Sequence, residues 1–157
     1  MPADLRPATS ADLPVIHGLI LETGLSTDPT LITATLDGSS YWLATEAGQV
    51  VGTVGLEHGD GAGLLRSAAV RPAAQGRGVG AALVRAALGA ARARGDRATY
   101  LFTDTAGPYW ARLGFEPVRA ADLIRALPGV PQVRGGLARG WIHGAAAWRL
   151  DLTGVSP

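Results

Sequence analysis

The sequence contains no cysteine and no lysine. The first absence removes disulfides, thiolate nucleophiles and cysteine-based metal sites together. The second removes Schiff-base chemistry and a lysine general base. It also removes any phosphate loop ending in Gly-Lys-Ser/Thr. All fourteen basic residues are therefore arginine. Histidine is scarce too. His17, His58 and His143 stand apart without the short spacings of a metal site, so no metal is expected.

Long apolar runs are also missing. No segment approaches the roughly 20 residues of a membrane span. The start, "MPADLRPATSADL", lacks the basic flank and apolar core of an export signal. A soluble, cytoplasmic protein without a membrane partner is expected. A formal net charge of +1 argues against nucleic-acid binding by broad charge neutralisation. At 157 residues and 47% hydrophobic, the chain is expected to fold as one domain over residues 1–157.

The elements read off the sequence in a definite order. "ADLRPAT" starts extended. "SADLPVIHGLILETG" reads as a helix, with Ser10 as N-cap and Gly24 as its stop. "LSTDPTLITATLDG" reads as a second helix, with Asp28 as N-cap, Pro29 at its first position and Gly38 at its end. "YWLATEAGQVVGTVGLEH" is two strands about a tight Ala47-Gly48 turn. "LLRSAAV" is a third strand. "VGAALVRAALGAARARG" is the strongest helix in the chain, with Gly95 as its stop.

"ATYLFTD", "FEPV" and "AAAWRLDL" read as further strands. "AGPYWARLG" and "ADLIRAL" read as short helices, and residues 127–144 have no clear pattern. Consecutive strands before the long helix imply antiparallel pairing. The strand–helix–strand unit over 64–104 implies a parallel crossover. The fold class is α/β (α+β), with a mixed, mostly antiparallel sheet and flanking helices.

"VRPAAQGRGVGAAL" carries Gly76, Gly78 and Gly80 at alternate positions before the long helix. A dinucleotide-binding turn needs Gly-x-Gly-x-x-Gly directly after a first strand. Here the spacing is Gly-x-Gly-x-Gly, mid-chain, behind a proline-containing linker. Glycines at a helix start let successive N–H groups face one concavity at the positive end of the helix dipole. Without Cβ atoms, a pyrophosphate can lie against the main chain. A flexible connector is the competing reading of the glycines taken alone.

"LLRSAAVRPAAQGRGVGAALVRAALGAARARG" resembles the acetyl-CoA signature of the GNAT superfamily of N-acetyltransferases, and "YWARLGFEPV" resembles its second hallmark. The resemblance covers about residues 3–119. It implies the GNAT fold, in which a central parallel strand pair splays, and acetyl-CoA as co-substrate. By this resemblance, backbone groups of Ala68, Ala69 and Val70 would pair with the pantetheine arm. Gln75, Gly76, Arg77, Gly78, Val79, Gly80 and Ala81 would cradle the pyrophosphate, with Arg77 either adding charge or standing in solvent.

The implied chemistry is direct acetyl transfer to an amine in a ternary complex. The lack of cysteine agrees with it, because no thiol acyl-enzyme can form. The Val70 N–H is a candidate for stabilising the oxyanion. For the proton-accepting base, Glu57 is favoured over the reading of it as an exposed strand-end carboxylate, and Asp104 is the second choice. The position at which relatives often carry a tyrosine acid is Trp110 here. Either the adjacent Tyr109 takes that role or solvent protonates the thiolate. Trp110 packing over the cofactor is the plainer reading.

Arg66 lies in an apolar strand and alternates with Ala68 and Val70 on one face. It either meets an acid on the acceptor or pairs internally with Glu57. "GLLRSAAVRP" with "TDTAGPYWARLGF" is most similar to arsenic-resistance N-acetyltransferases and, more distantly, to phosphinothricin-type ones. That subgroup implies a small amino-acid-like amine acceptor. Alternatives are a peptide or protein N-acetyltransferase, or a non-catalytic acyl-CoA-binding module. A monomer or a homodimer fits equally.

Overall fold

The computed structural model describes residues 3–25, 35–104 and 106–153. The strands β1 (Asp4–Pro7), β2 (Ser39–Glu46), β3 (Gln49–His58), β4 (Ala62–Val70), β5 (Ala98–Phe102), β6 (Glu116–Val118) and β7 (Ala147–Asp151) form one sheet. Their order in it is β1-β2-β3-β4-β5-β7-β6. The β4–β5 pair is parallel, with Ala62 opposite Ala98 and Leu64 opposite Tyr100. The β1–β2, β5–β7 and β6–β7 pairs are antiparallel. The mixed, mostly antiparallel sheet expected from the sequence is therefore present. By its contacts the chain divides into two compact units, Met1–Leu56 with Arg66–Gly89, and Glu57–Leu65 with Ala90–Pro157.

In the first unit, a short 3-10 turn over Ser10–Asp12 leads into α1 (Leu13–Glu22). The cap is Thr9 rather than the expected Ser10. Asp12 reaches back to accept from the Thr9 N–H at 2.8 Å, which closes a capping box. Gly24 ends the helix at φ +73, in the left-handed conformation that glycine adopts without steric cost. Ile16 and Ile20 pack with Tyr41 and Leu43 in a buried cluster. The helix expected over residues 25–37 falls largely on 26–34, which lie outside the described residues. The β2–β3 hairpin turns at Ala47 and Gly48 with φ of +50 and +79, as a two-residue turn with both central residues left-handed requires.

The long helix α2 (Val79–Arg94) buries Val79, Leu83, Val84, Ala87, Leu88 and Ala91, spaced along one face. Gly52 on β3 makes room for it. A Cβ there would sit 3.0 Å from Leu83 Cδ1 and 3.3 Å from Val79 Cγ1. Gly95 ends α2 at φ +87.

The second unit is built on β5, β7 and β6. Around them pack α3 (Gly107–Arg112), α4 (Ala120–Ala126) and α5 (Pro131–Arg139). Leu64, Ala98, Leu123, Leu127, Val133 and Ile142 belong to its buried core. The segment 127–144, which has no clear pattern in sequence, contains α5 and a 3-10 turn at Ile142–Gly144. Its paired glycines do not break the helix because one of them is a packing site. A Cβ on Gly136 would lie 2.9 Å from both Ile142 Cβ and Trp141 Cζ2. None of the described helices is long and apolar enough to cross a membrane.

Candidate active site

The glycine loop belongs to the first unit and follows β4 after a short 3-10 turn over Pro72–Ala74. Gly76 and Gly78 both have φ +80. Two left-handed residues one apart bend the chain sharply, and such turns gather backbone N–H groups into an anion-binding concavity. A Cβ built on either glycine would meet nothing within 4 Å, so the space over the loop is open. The Ala82 N–H donates to the Gly78 carbonyl at 3.0 Å, which makes Gly78 the entry point of α2. The N–H groups of Val79, Gly80 and Ala81 are then among the four that a helix start leaves without internal partners. They sit at the positive end of a 16-residue helix. This donor set fits a pyrophosphate.

The strand leading into the loop is anchored on both sides of its last residues. The Arg71 N–H donates to Val51 O at 2.8 Å, toward β3. Backbone groups alternate sides along a strand, so the Val70 N–H faces the opposite edge. The Gln75 side chain donates from Nε2 to Val70 O at 2.9 Å and ties the loop to the strand end. Arg77 turns its guanidinium to Glu46 at 3.1 Å and to the Ala73 carbonyl at 2.8 Å. The charge that Arg77 would bring to the cradle is thus held by a carboxylate at the rim.

The alternation expected along β4 is broken. Ser67 has φ +57, a left-handed residue inside a strand. Such a residue is the mark of a bulge, which shifts the phase of everything beyond it. Arg66 therefore does not share a simple alternating face with Ala68 and Val70. Arg66 is half-buried, as are Ala68 and Val70, while Ala69 is buried.

The second unit holds the other candidates. Glu57, the next-to-last residue of β3, is 1% exposed. It is not the exposed strand-end carboxylate of the competing reading. Its Oε1 accepts from the Gln132 N–H at 3.0 Å, in the first turn of α5. The N-cap of that helix, Val130, has no side chain able to cap, so Glu57 supplies the missing acceptor. Nothing in the sequence marks this pairing, because the two residues stand 75 positions apart.

His58, beside Glu57, is half-buried. Burial holds its imidazole below the ordinary histidine range, and the Arg94 charge pushes the same way. Asp104 is exposed just beyond β5. Tyr109 and Trp110 lie on α3 with their rings edge to face at 5.0 Å, and Trp110 meets Phe115 in the same manner at 5.4 Å. Trp110 is 7% exposed and Tyr109 is half-buried. These two ring contacts hold the Trp110 side chain in place. Gly107, at the start of α3, lies so close to Trp148 that a Cβ would stand 2.8 Å from its Cζ2.

A mixed sheet with the parallel β4–β5 pair, and a left-handed glycine loop opening a long helix, make a framework suited to holding an acyl-CoA. The family model of the GNAT acetyltransferase domain matches residues 37–117, and the chain belongs to that family. A search of curated proteins finds no match.

Among solved structures, Rv2747 from Mycobacterium tuberculosis, determined in complex with CoA, is 25% identical. The match covers 95% of this chain and 99% of that one, with a TM-score of 0.71. A GNAT family acetyltransferase from Brucella melitensis in complex with acetyl-CoA is also 25% identical, over 73% of this chain and 82% of that one, with a TM-score of 0.61. N-acetylglutamate synthase from Neisseria gonorrhoeae, complexed with coenzyme A and N-acetyl-glutamate, shares the fold at 21% identity and a TM-score of 0.72. That match covers 96% of this chain and 35% of the synthase. The protein is an acetyl-CoA-dependent N-acetyltransferase.

Proposed function

We propose that the enzyme acetylates the amine of a small amino-acid-like acceptor by direct transfer from acetyl-CoA in a ternary complex. The observation that carries the acetyl-CoA placement is the loop itself. Two left-handed glycines, open space above them and the N–H groups of Val79, Gly80 and Ala81, which a helix start leaves without internal partners, make an anion cradle between β4 and α2. The pyrophosphate lies over Gln75–Ala81. The pantetheine arm pairs with the β4 edge turned away from β3, through Ala68 and Val70, while Ala69 packs inward. The Val70 N–H then faces the thioester oxygen as negative charge develops on it.

Glu57 takes the proton from the acceptor amine, directly or through a water. One of its oxygens is committed to Gln132, which fixes the carboxylate in one orientation. Tyr109 protonates the departing thiolate, a role its neighbour Trp110 lacks the chemistry for. Asp104 and Trp110 border the acceptor. Arg66 binds an acidic group of the acceptor, since a half-buried guanidinium on a strand with no other charge matches a carboxylate or phosphinate. The motif around Arg66 supports a place among the arsenic-resistance and phosphinothricin-type enzymes. The complex of the Neisseria gonorrhoeae synthase with N-acetyl-glutamate supports an amino-acid acceptor within the same fold.

The test is CoA release, followed with a thiol reagent, across a panel of L-amino acids, phosphinothricin and a peptide with a free N-terminus. The lack of cysteine leaves no protein thiol to raise the background. Turnover with the amino acids or phosphinothricin and not with the peptide is expected. Turnover with the peptide alone would replace this reading with that of a peptide N-acetyltransferase.

A further inference from the structure

We propose that Tyr41 is a positioning residue for acetyl-CoA, acting through Ser67. In the sheet, β3 lies between β2 and β4. Tyr41 starts on β2 and its hydroxyl ends 3.2 Å from the Ser67 hydroxyl on β4. Its side chain therefore crosses over β3. Gly55 on β3 permits the crossing. A Cβ there would overlap the Tyr41 ring, with Cε1 at 2.7 Å. Tyr41 is 2% exposed and Ser67 half-buried, so this hydroxyl contact is partly shielded from bulk water.

Ser67 is the residue that needs holding. Its φ of +57 lies in a region that residues with a Cβ avoid, and that glycine enters freely. Serine tolerates it best when its short polar side chain has a partner, and the Tyr41 hydroxyl is one. A strained residue persists only where its surroundings over-determine it. Immediately beyond Ser67 come Ala68, Ala69 and Val70, and then Arg71, whose N–H is fixed on Val51. The bulge at one end and the Arg71 bond at the other set the direction of the backbone groups between them. On the reading that these groups receive the pantetheine arm, a proposal this one rests upon, Tyr41 tunes acetyl-CoA binding without touching it.

The experiment measures acetyl-CoA Kd by calorimetry, acetyl-CoA KM and Tm for Tyr41→Phe in two backgrounds, the unaltered chain and Ser67→Gly. In the unaltered chain, Tyr41→Phe should weaken acetyl-CoA about five-fold, equivalent to about 1 kcal/mol. In the Ser67→Gly background the same change should cost less than about two-fold, because glycine holds the left-handed turn without a clamp. Equal weakening in both backgrounds, or an unchanged Kd in the unaltered chain, overturns the proposal. An equal fall in Tm in both backgrounds with Kd unchanged assigns Tyr41 to packing and overturns it too. The underlying placement is read separately with Gly78→Val. Unchanged acetyl-CoA affinity there defeats the cradle, whatever the outcome at Tyr41.

Discussion

The Glu57 carboxylate caps a helix that begins 74 residues further along the chain, through the Gln132 N–H at 3.0 Å. The side chain holds α5, and the role proposed for it is to accept the acceptor's proton. The two separate by substitution. Glu57→Gln keeps an oxygen that can accept from Gln132 but loses basicity. Its Tm should stay close to that of the unaltered protein, while kcat falls about 10²–10⁴-fold. Glu57→Ala should also destabilise by about 1–3 kcal/mol, because a buried N–H loses its acceptor. Full kcat in Glu57→Gln, measured by CoA release, would remove Glu57 as the base and leave it as a cap.

Gly78→Val should weaken acetyl-CoA at least ten-fold by calorimetry. The position is left-handed, and a β-branched residue there forces the loop out of its shape. The added side chain would also stand in the open space over the loop.

Arg66→Ala should raise the KM for an acidic acceptor about ten-fold or more, with acetyl-CoA KM little changed, if its guanidinium meets the acceptor's acid. L-Glutamate and L-alanine as paired probes make the check. An equal effect on both would place the contribution of Arg66 in the fold instead.

A pH-dependent stability term sits at the N-terminus. Arg6 grips Asp12 with two bonds of 2.9 Å, and with the Thr9 N–H it pulls the Asp12 carboxyl down to about 2. A carboxylate lowered by folding stabilises fully above its unfolded pKa of about 3.9. The gain is lost as pH falls from there through about 2. Arg6 is half-exposed, so solvent screening keeps the contribution of the pair small. Thermal melts of Asp12→Asn should run below the unaltered protein at pH 6 and converge with it near pH 2. A constant gap down to pH 2 would contradict the ion-pair account.

Much of the architecture was legible because its signals are local. The Ala47-Gly48 hairpin, the stops at Gly24 and Gly95 and the apolar face of α2 each follow from backbone conformation or helical periodicity within a few residues. The glycine loop was legible for the same reason, since a left-handed residue followed by a helix start is written into consecutive positions. At the N-cap of the first helical turn the sequence points to Ser10 and the structure has Thr9, because both hydroxyls qualify in sequence. Only the reach of Asp12 back to Thr9 decides between them.

The family, the co-substrate and the glycine loop that we propose as the phosphate cradle are all readable from residues adjacent in the chain. The tertiary structure alone decided what depends on residues far apart. It showed that α5 forms through a paired-glycine stretch because Gly136 packs against Trp141 and Ile142, and because Glu57 closes its first turn. It placed a left-handed serine in the middle of β4, where no glycine announces one. It brought Tyr41 to that serine across Gly55, a contact that exists only because three strands lie side by side in the sheet. Conformational preference is a property of short segments, whereas the partner of a buried polar group is chosen by the fold.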